Sequence, residues 1–315
     1  MKAAVYDVEG APGVLKYADV PEPVTGPDDI LISVEAISIE GGDLINRRST
    51  PPPLPLWIGG YAAAGTVVAV GSKVRSRTVG DRVAAFHMQG SHAERWAVPA
   101  ERTWLIPDGV GMAEAAALPI SFGTAHHCLF TRGMLRQGET VLIHAAAGGV
   151  GLAAVQLASQ AGATVIAVVS GTQRRGRLRE LGADYVVDRT KDNIVDSVRQ
   201  YTHGTGVDLV IDPVGTTLPV SLSALAPEGR LVFVGNAGGG SLTVDLWPAM
   251  QSNQTLMGVF MGPLFARQGV RTSVDEMLQA VAAGRVTVVI DRIFPLANAA
   301  AAHEFAETAK PLGRI

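Results

Sequence analysis

Hydrophobic and polar positions along the 315-residue chain fall into three successive regimes. From residue 1 to about 118, short β-branched runs ("MKAAVYD", "DILISVEAISI", "AGTVVAVG", "GDRVAAF", "ERWAVP") are separated by turn-forming text such as "PEPVTGPDD" and "TPPPLPLWIGGY". Such dense Pro and Gly punctuation predicts a small irregular β-barrel rather than a parallel sheet. From about 119 to 255, strand and helix periods alternate. Strands are predicted at "TVLIHA" (140–145), "ATVIAVV" (163–169), "ADYVVD" (183–188), "VDLVIDPVG" (207–215) and "GRLVFVG" (229–235). Helices are predicted at 149–162, 172–181, 191–201 and over "TTLPVSLSALA". This alternation is that of an α/β doubly wound parallel sheet.

After 255, "TLMGVFM" reads as the last strand of that sheet. "SVDEMLQAVAAG" then predicts a helix with a glycine stop, "VTVVIDRIFP" (286–295) a strand, and "ANAAAAHEFAETA" a helix. These pieces lack a complete core of their own and are expected to pack back on the first regime. The predicted domains are therefore 1–118 together with 256–315, and 119–255.

One observation tests this picture. Residues 140–173 contain no Asp, Glu, Lys or Arg, and a bilayer is spanned by about 20 apolar residues. The stretch nevertheless breaks into strand, glycine turn, amphipathic helix and strand, each too short to span, which is the order of a βαβ unit. Net charge −3 and pI near 6.2 provide no basic field for nucleic acid or an anionic membrane. A single cysteine, Cys128, excludes an internal disulfide and a multi-thiolate zinc site. With no basic-then-apolar signal at "MKAAVYDVEG", the expected location is cytoplasmic.

The chemistry concentrates at "AAGGVG" (146–151), a G-x-G-x-x-G with alanine in the first position, placed between a strand and a helix. Gly148 lets the backbone approach a pyrophosphate, and Gly151 lets helix and strand pack closely. The helix N-terminal amides from Ala147 through Gly148, Gly149, Val150 and Gly151 then face the anion. NAD binders usually end the second strand with an acid that bonds the ribose 2′-hydroxyl. Here that strand ends in Ser170-Gly171, followed by Arg174, Arg175, Arg177 and Arg179, with Arg189 closing the next strand. A hydroxyl with guanidinium forks (Ser170, Arg174, Arg175, Arg189) suits a 2′-phosphate, so the expected cofactor is NADPH; Arg177 and Arg179 read as a solvated helix face.

Several motifs together resemble the zinc-free quinone oxidoreductase (zeta-crystallin-like) branch of the medium-chain dehydrogenase/reductase superfamily. They are "GVLKYADVPEP", "VGDRV", "EAAALP", "VLIHAAAGGVGLAAVQLA", "ELGADYVVD" and "GVDLVIDPVG", in the family's order. The resemblance implies a GroES-like catalytic domain from both chain ends, a central Rossmann domain, and homodimers formed edge to edge by the Rossmann sheets. Where related alcohol dehydrogenases carry zinc ligands, this chain has Glu40 and Tyr61-Ala62, and their four-cysteine lobe is missing. No metal is expected, although Glu40, His87, His92 and His126 remain conceivable ligands.

Family members place an Asn and an Asp where this chain has Glu40 and Asp43; the alternative is that both carboxylates cap turns or pair with Arg47 and Arg48. Tyr61 can donate its hydroxyl to a carbonyl or fill a core. Thr124 matches a threonine that relatives set against the nicotinamide. His126 and His127 are candidate proton shuttles or packing residues. The strand ends Val214-Gly215 and Phe233, Gly235 and Asn236 are placed for cofactor contact. "TPPPLPLW" lines a substrate mouth or acts as a spacer. Relatives continue beyond "KPLGRI" into a last strand that touches the cofactor.

The expected activity is NADPH-dependent hydride transfer to a small quinone or other α,β-unsaturated carbonyl compound without a catalytic metal. The alternatives are an enoyl-thioester reductase, a structural or RNA-binding protein that holds NADPH without turnover, and an alcohol dehydrogenase using an unusual metal.

Overall fold

The computed structural model describes residues 1–315. Contacts divide the chain into two compact units, Met1–Gly123 with Gly262–Ile315, and Thr124–Met261. Both junctions lie later than the sequence pattern placed them. The cause is visible in the elements: a helix, Met112–His126, runs across the first junction, and the strand after 255, expected as the last of the parallel sheet, does pair there.

The first unit contains β1 (Lys2–Tyr6), β2 (Lys16–Asp19), β3 (Asp29–Ser38), α1 (Gly41–Ser49), β4 (Trp57–Ile58), β5 (Ala62–Val70), β6 (Arg82–Phe86), β7 (Arg95–Pro99) and β8 (Thr103–Leu105). These form a five-stranded antiparallel sheet in the order β7-β3-β5-β6-β8 and a three-stranded sheet β2-β1-β4. Period-2 alternation places Ile30 and Ile32, Ala63 and Val67, Val83 and Ala85, and Trp96 and Val98 on one shared core. Helix α2 (Met112–His126) carries the chain onward, with Pro119 in its interior and a π-helical turn, His127–Arg132, at its end.

The second unit contains β9 (Thr140–Ile143), α3 (Gly149–Gln160), β10 (Thr164–Val169), α4 (Arg175–Glu180), β11 (Tyr185–Asp188), α5 (Ile194–Tyr201), β12 (Val207–Asp212), α6 (Leu218–Ala224), β13 (Leu225–Val234), α7 (Trp247–Gln251) and β14 (Thr255–Val259). All its pairings are parallel, in the order β11-β10-β9-β12-β13-β14. Counted within the unit this is 3-2-1-4-5-6, so the strand order reverses between β9 and β12. In such sheets ligands bind beyond the carboxyl ends of the strands at that reversal. No helix is long and apolar enough to cross a membrane.

The returning segment adds α8 (Gln268–Ala282) and α9 (Ala299–Thr308) to the first unit. The strand predicted at 286–295 does not form. Only Ile290 makes a bridge, to Arg314, and no ladder of strand pairs extends from it. A β-branched run without a partner ladder cannot satisfy its backbone as a strand.

Candidate active site

The glycine turn follows β9 and opens α3. Ala145 sits in the left-handed region at φ 48°, a conformation that costs a non-glycine residue about 1–2 kcal/mol and is typical of functional turns. Gly148 is the N-cap of α3, and no side chain caps it. The first bond into the helix runs from the Leu152 N–H to the Gly148 carbonyl, so the amides of Gly149, Val150 and Gly151 precede the intrahelical ladder. Uncapped donors at the positive end of a helix are the physical requirement for holding a pyrophosphate. Gly151 has a different reason to be glycine: a Cβ there would lie 2.3 Å from the Ala145 carbonyl oxygen. Helix and turn could not then approach as they do.

At the end of β10, Ser170 Oγ accepts from Arg189 Nε at 2.8 Å. Arg174 is the N-cap of α4, half-buried; Arg175 leans toward Asp192 at 3.3 Å, and Arg177 is tied to Glu180 at 2.9 Å on the exposed face. The nearest carboxylate, Asp188, is already engaged. Its Oδ1 accepts from the Gly171 N–H (2.8 Å) and from the Thr190 hydroxyl (2.7 Å). The Gly171 bond, followed by the Thr190 hydroxyl, brings its pKa down to about 2. The corner thus presents a hydroxyl and guanidinium groups, with its acid spent on shaping the loop.

The loops after β12 and β13 are zipped together by Gly238 N–H to the Val214 carbonyl (2.9 Å). Gly215 has φ 83°, and a Cβ there would meet the Asn236 amide oxygen at 2.7 Å. Asn236 Nδ2 donates to the Gly240 carbonyl at 2.9 Å, and Gly235 turns at φ 84°. Phe233 is not brought into this cluster by its ring, which packs on the sheet core.

In the first unit the structure brings Glu40, Asp43 and Tyr61 together around the start of α1. Glu40, the N-cap, is buried; its Oε1 accepts from Ser38 Oγ (2.8 Å) and its Oε2 pairs with Arg314 Nη2 (2.6 Å). Asp43 Oδ2 accepts from the Glu40 N–H at 2.7 Å, closing the first helical turn, while Oδ1 is buried without a hydrogen-bond partner. Neither acid pairs with Arg47 or Arg48: Arg47 is buried and bound to Glu307. Burial pushes the Glu40 pKa up against the pull of Arg314. Asp43 is raised well above its ordinary value by burial, with the Glu40 charge adding to the shift.

Asn46 Nδ2 donates to Tyr61 Oη, and burial, then Asp43, pushes the tyrosine up to about 12. Its hydroxyl therefore stays protonated at neutral pH, with its own proton still available to an acceptor. Asp43, Asn46, Tyr61 and Pro51-Pro52-Pro53 line a cavity of about 100 Å³ within this unit, so the proline segment does face a pocket.

Thr124 is buried on α2, at the first position of the second unit. His127 is buried and the His126 ring lies 4.9 Å from that of Phe130. Sequence reasoning missed Asn46, Ser38 and Arg314; the spacing of Asn46 from Asp43 on one helix was a usable signal, whereas nothing local pointed to Arg314.

No three His, Cys, Asp or Glu side chains are grouped to hold a metal ion. Burial raises the only thiol, Cys128, to about 12. The residues present do not fit the zinc that related alcohol dehydrogenases carry.

The comparisons agree with this architecture. Residues 26–121 match the family of alcohol dehydrogenase GroES-like domains and residues 149–283 the zinc-binding dehydrogenase family. A quinone oxidoreductase of Pseudomonas aeruginosa is 34% identical over 93% of this chain and 92% of its own length. A 2-haloacrylate reductase of Burkholderia is 31% identical over 99% of this chain and 97% of its own. The structure of Escherichia coli quinone oxidoreductase complexed with NADPH superposes with a TM-score of 0.94 at 28% identity, covering 100% of this chain and 98% of that one. With a Rossmann unit, a GroES-like unit and relatives matched end to end, the chain belongs to the quinone oxidoreductase branch of the medium-chain dehydrogenase/reductase superfamily, a family of oxidoreductases.

Proposed function

We propose that this protein is an NADPH-dependent reductase that transfers hydride to quinones or other α,β-unsaturated carbonyl compounds without a catalytic metal. The observation that carries the cofactor half is the Ser170–Arg189 pair standing where an NAD binder would place an acid. Gly149, Val150 and Gly151 would hold the pyrophosphate by backbone amides. Ser170, Arg189 and Arg174 would hold the 2′-phosphate, and Val214, Gly215 and Asn236 would border the rest of the cofactor. Bound NADPH would supply the hydride.

An electron-poor conjugated acceptor needs no Lewis acid to take hydride at carbon; it needs its oxygen stabilised as negative charge arrives. Tyr61 supplies a protonated hydroxyl held in place by Asn46, and Asp43 supplies a buried carboxyl whose raised pKa keeps it a potential donor. The proton that completes the product comes from such a donor or from solvent. The grouping of these donors around one small cavity supports a compact acceptor.

A homodimer is part of the proposal. β14 is an edge strand, and Leu246, Trp247, Met250 and Phe260 are exposed on the helix before it and the residue after it. Apolar groups beside an unpaired edge favour pairing with a second copy, which sedimentation velocity would detect.

The test is loss of NADPH or NADH absorbance with benzoquinone, phenanthrenequinone, a simple enone and a crotonyl thioester. NADPH should outpace NADH with quinones or enones, and Arg189→Ala should raise KM for NADPH about tenfold while sparing NADH. Preference for the thioester would favour an enoyl reductase. Tight NADPH binding without turnover would favour a non-enzymatic role.

A further inference from the structure

A buried polar cluster lies at the strand reversal of the parallel sheet, and the reaction scheme above does not use it. His144 follows β9 directly and leads into the glycine turn; Asp212 ends β12 and leads into the Pro213-Val214-Gly215 loop. Both side chains are buried, His144 at 1% and Asp212 at 0% exposure, and Ser221 on α6 lies between them, also at 0%. Ser221 Oγ donates to Asp212 Oδ2 at 2.7 Å and stands 3.1 Å from His144 Nε2.

The proton count fixes the direction of these bonds. A serine hydroxyl has one hydrogen, which goes to the carboxylate, so the bond to His144 requires the imidazole to donate from Nε2. Asp212 Oδ1 accepts the N–H groups of Val214 (2.9 Å) and Gly215 (3.1 Å), and Thr217 Oγ1 lies 2.7 Å from each carboxylate oxygen. Five contacts thus converge on one carboxylate. Burial opposes its charge, but His144, Ser221, Thr217 and Gly215 together leave its pKa lowered, while burial brings that of His144 down.

We propose that His144, Ser221 and Asp212 form a positioning relay that locks the glycine turn after β9 and the Val214-Gly215 loop after β12 into one rigid cradle. The relay touches no reacting atom. It acts through the backbone of two loops that arise 60 or more residues apart in sequence and flank the reversal point. A partly satisfied buried network is costly, so the three residues are coupled, and loosening one end loosens both loops. This inference rests on the cofactor reading only for what the cradle holds; the coupling itself is a property of the unliganded chain.

The test measures amide hydrogen exchange in the full-length protein at Ala146 and Gly148 in one loop and at Val214 and Gly215 in the other. Ser221→Ala is expected to speed exchange in both loops by about tenfold, the effect of one lost hydrogen bond to a charged group. Ser221→Thr, which retains the hydroxyl, should restore slow exchange. His144→Phe keeps the ring volume and leaves the Asp212 bonds intact, so it covers the case in which Ser221→Ala does not fold; it should also speed exchange at Val214 and Gly215. Exchange that changes only in the loop nearest the substitution, or in neither, overturns the relay. NADPH fluorescence titration in parallel should give a Kd raised about tenfold by Ser221→Ala. A wild-type protein that bound no NADPH would refute the cofactor assignment, while the exchange data would still decide the coupling.

Discussion

The two units solve opposite problems at their candidate sites. In the second unit the cofactor cradle is made almost entirely of backbone: amides at an uncapped helix start and loop ends stitched by main-chain bonds. In the first, the candidate chemistry is made of side chains taken out of water, with two buried carboxyls, a tyrosine at about 12, and an arginine from the far end of the chain. A backbone site depends on close approach and tolerates few added atoms. A buried ionisable site depends on which partners arrive and on which protons they bring.

The largest effect, on stability and cofactor binding together, should come from breaking the backbone side. Gly151→Val places atoms where the Ala145 carbonyl and Ala146 Cα already lie. Destabilisation of about 3 kcal/mol is expected from overpacking, together with loss of NADPH binding; thermal melting and fluorescence titration check both. An unchanged melt would mean that the turn gives way more readily than its geometry implies.

Next comes the side-chain side. Arg314→Met leaves Glu40 buried without its cation, at a cost of about 3 kcal/mol at neutral pH. The loss should shrink toward acid, where Glu40 takes up a proton. Urea midpoints at two pH values measure it, and a loss that is the same at both would show that Glu40 is not the group left stranded.

The smallest effect is the most diagnostic. Asp43 binds its proton more tightly folded than unfolded, so above the ordinary carboxylate range the native state holds more protons than the unfolded one. Stability then falls as pH rises through that window. Glu40 shifts the same way, whereas Asp7, Asp19, Asp188 and Asp212 are lowered and act at more acidic pH. Asp43→Asn should flatten the decline, seen as melting temperatures that converge with wild type at acid pH and exceed it at alkaline pH. A parallel offset at every pH would count against a protonated Asp43.

The same contrast explains what the sequence could convey. The βαβ order, the glycine turn and the Ser170-Gly171 strand end are contiguous in the chain, so residue types and spacing carried them. The side-chain site is not contiguous. Glu40 and Asp43 were identifiable as a pair on one turn, but Arg47 is bound to Glu307 instead, and the true partner of Glu40 is Arg314. The missing strand at 286–295 is the same lesson in backbone form: its composition was suitable, but the neighbour that would have completed a ladder was a property of tertiary structure.

The bond between the Ile39 N–H and the Ile315 carbonyl, beside the Arg314–Glu40 pair, joins segments separated by the whole second unit. During synthesis the Rossmann unit, one continuous stretch, has all its strands before residue 262 emerges. The first unit is made first but must wait for the ribosome to deliver its last helices and tail. Its strands are all made by Leu105, but the surfaces that α8 and α9 later cover stand exposed meanwhile. The maturation of this protein should therefore be paced by its earliest-made half, and that half is the one that chaperones would meet.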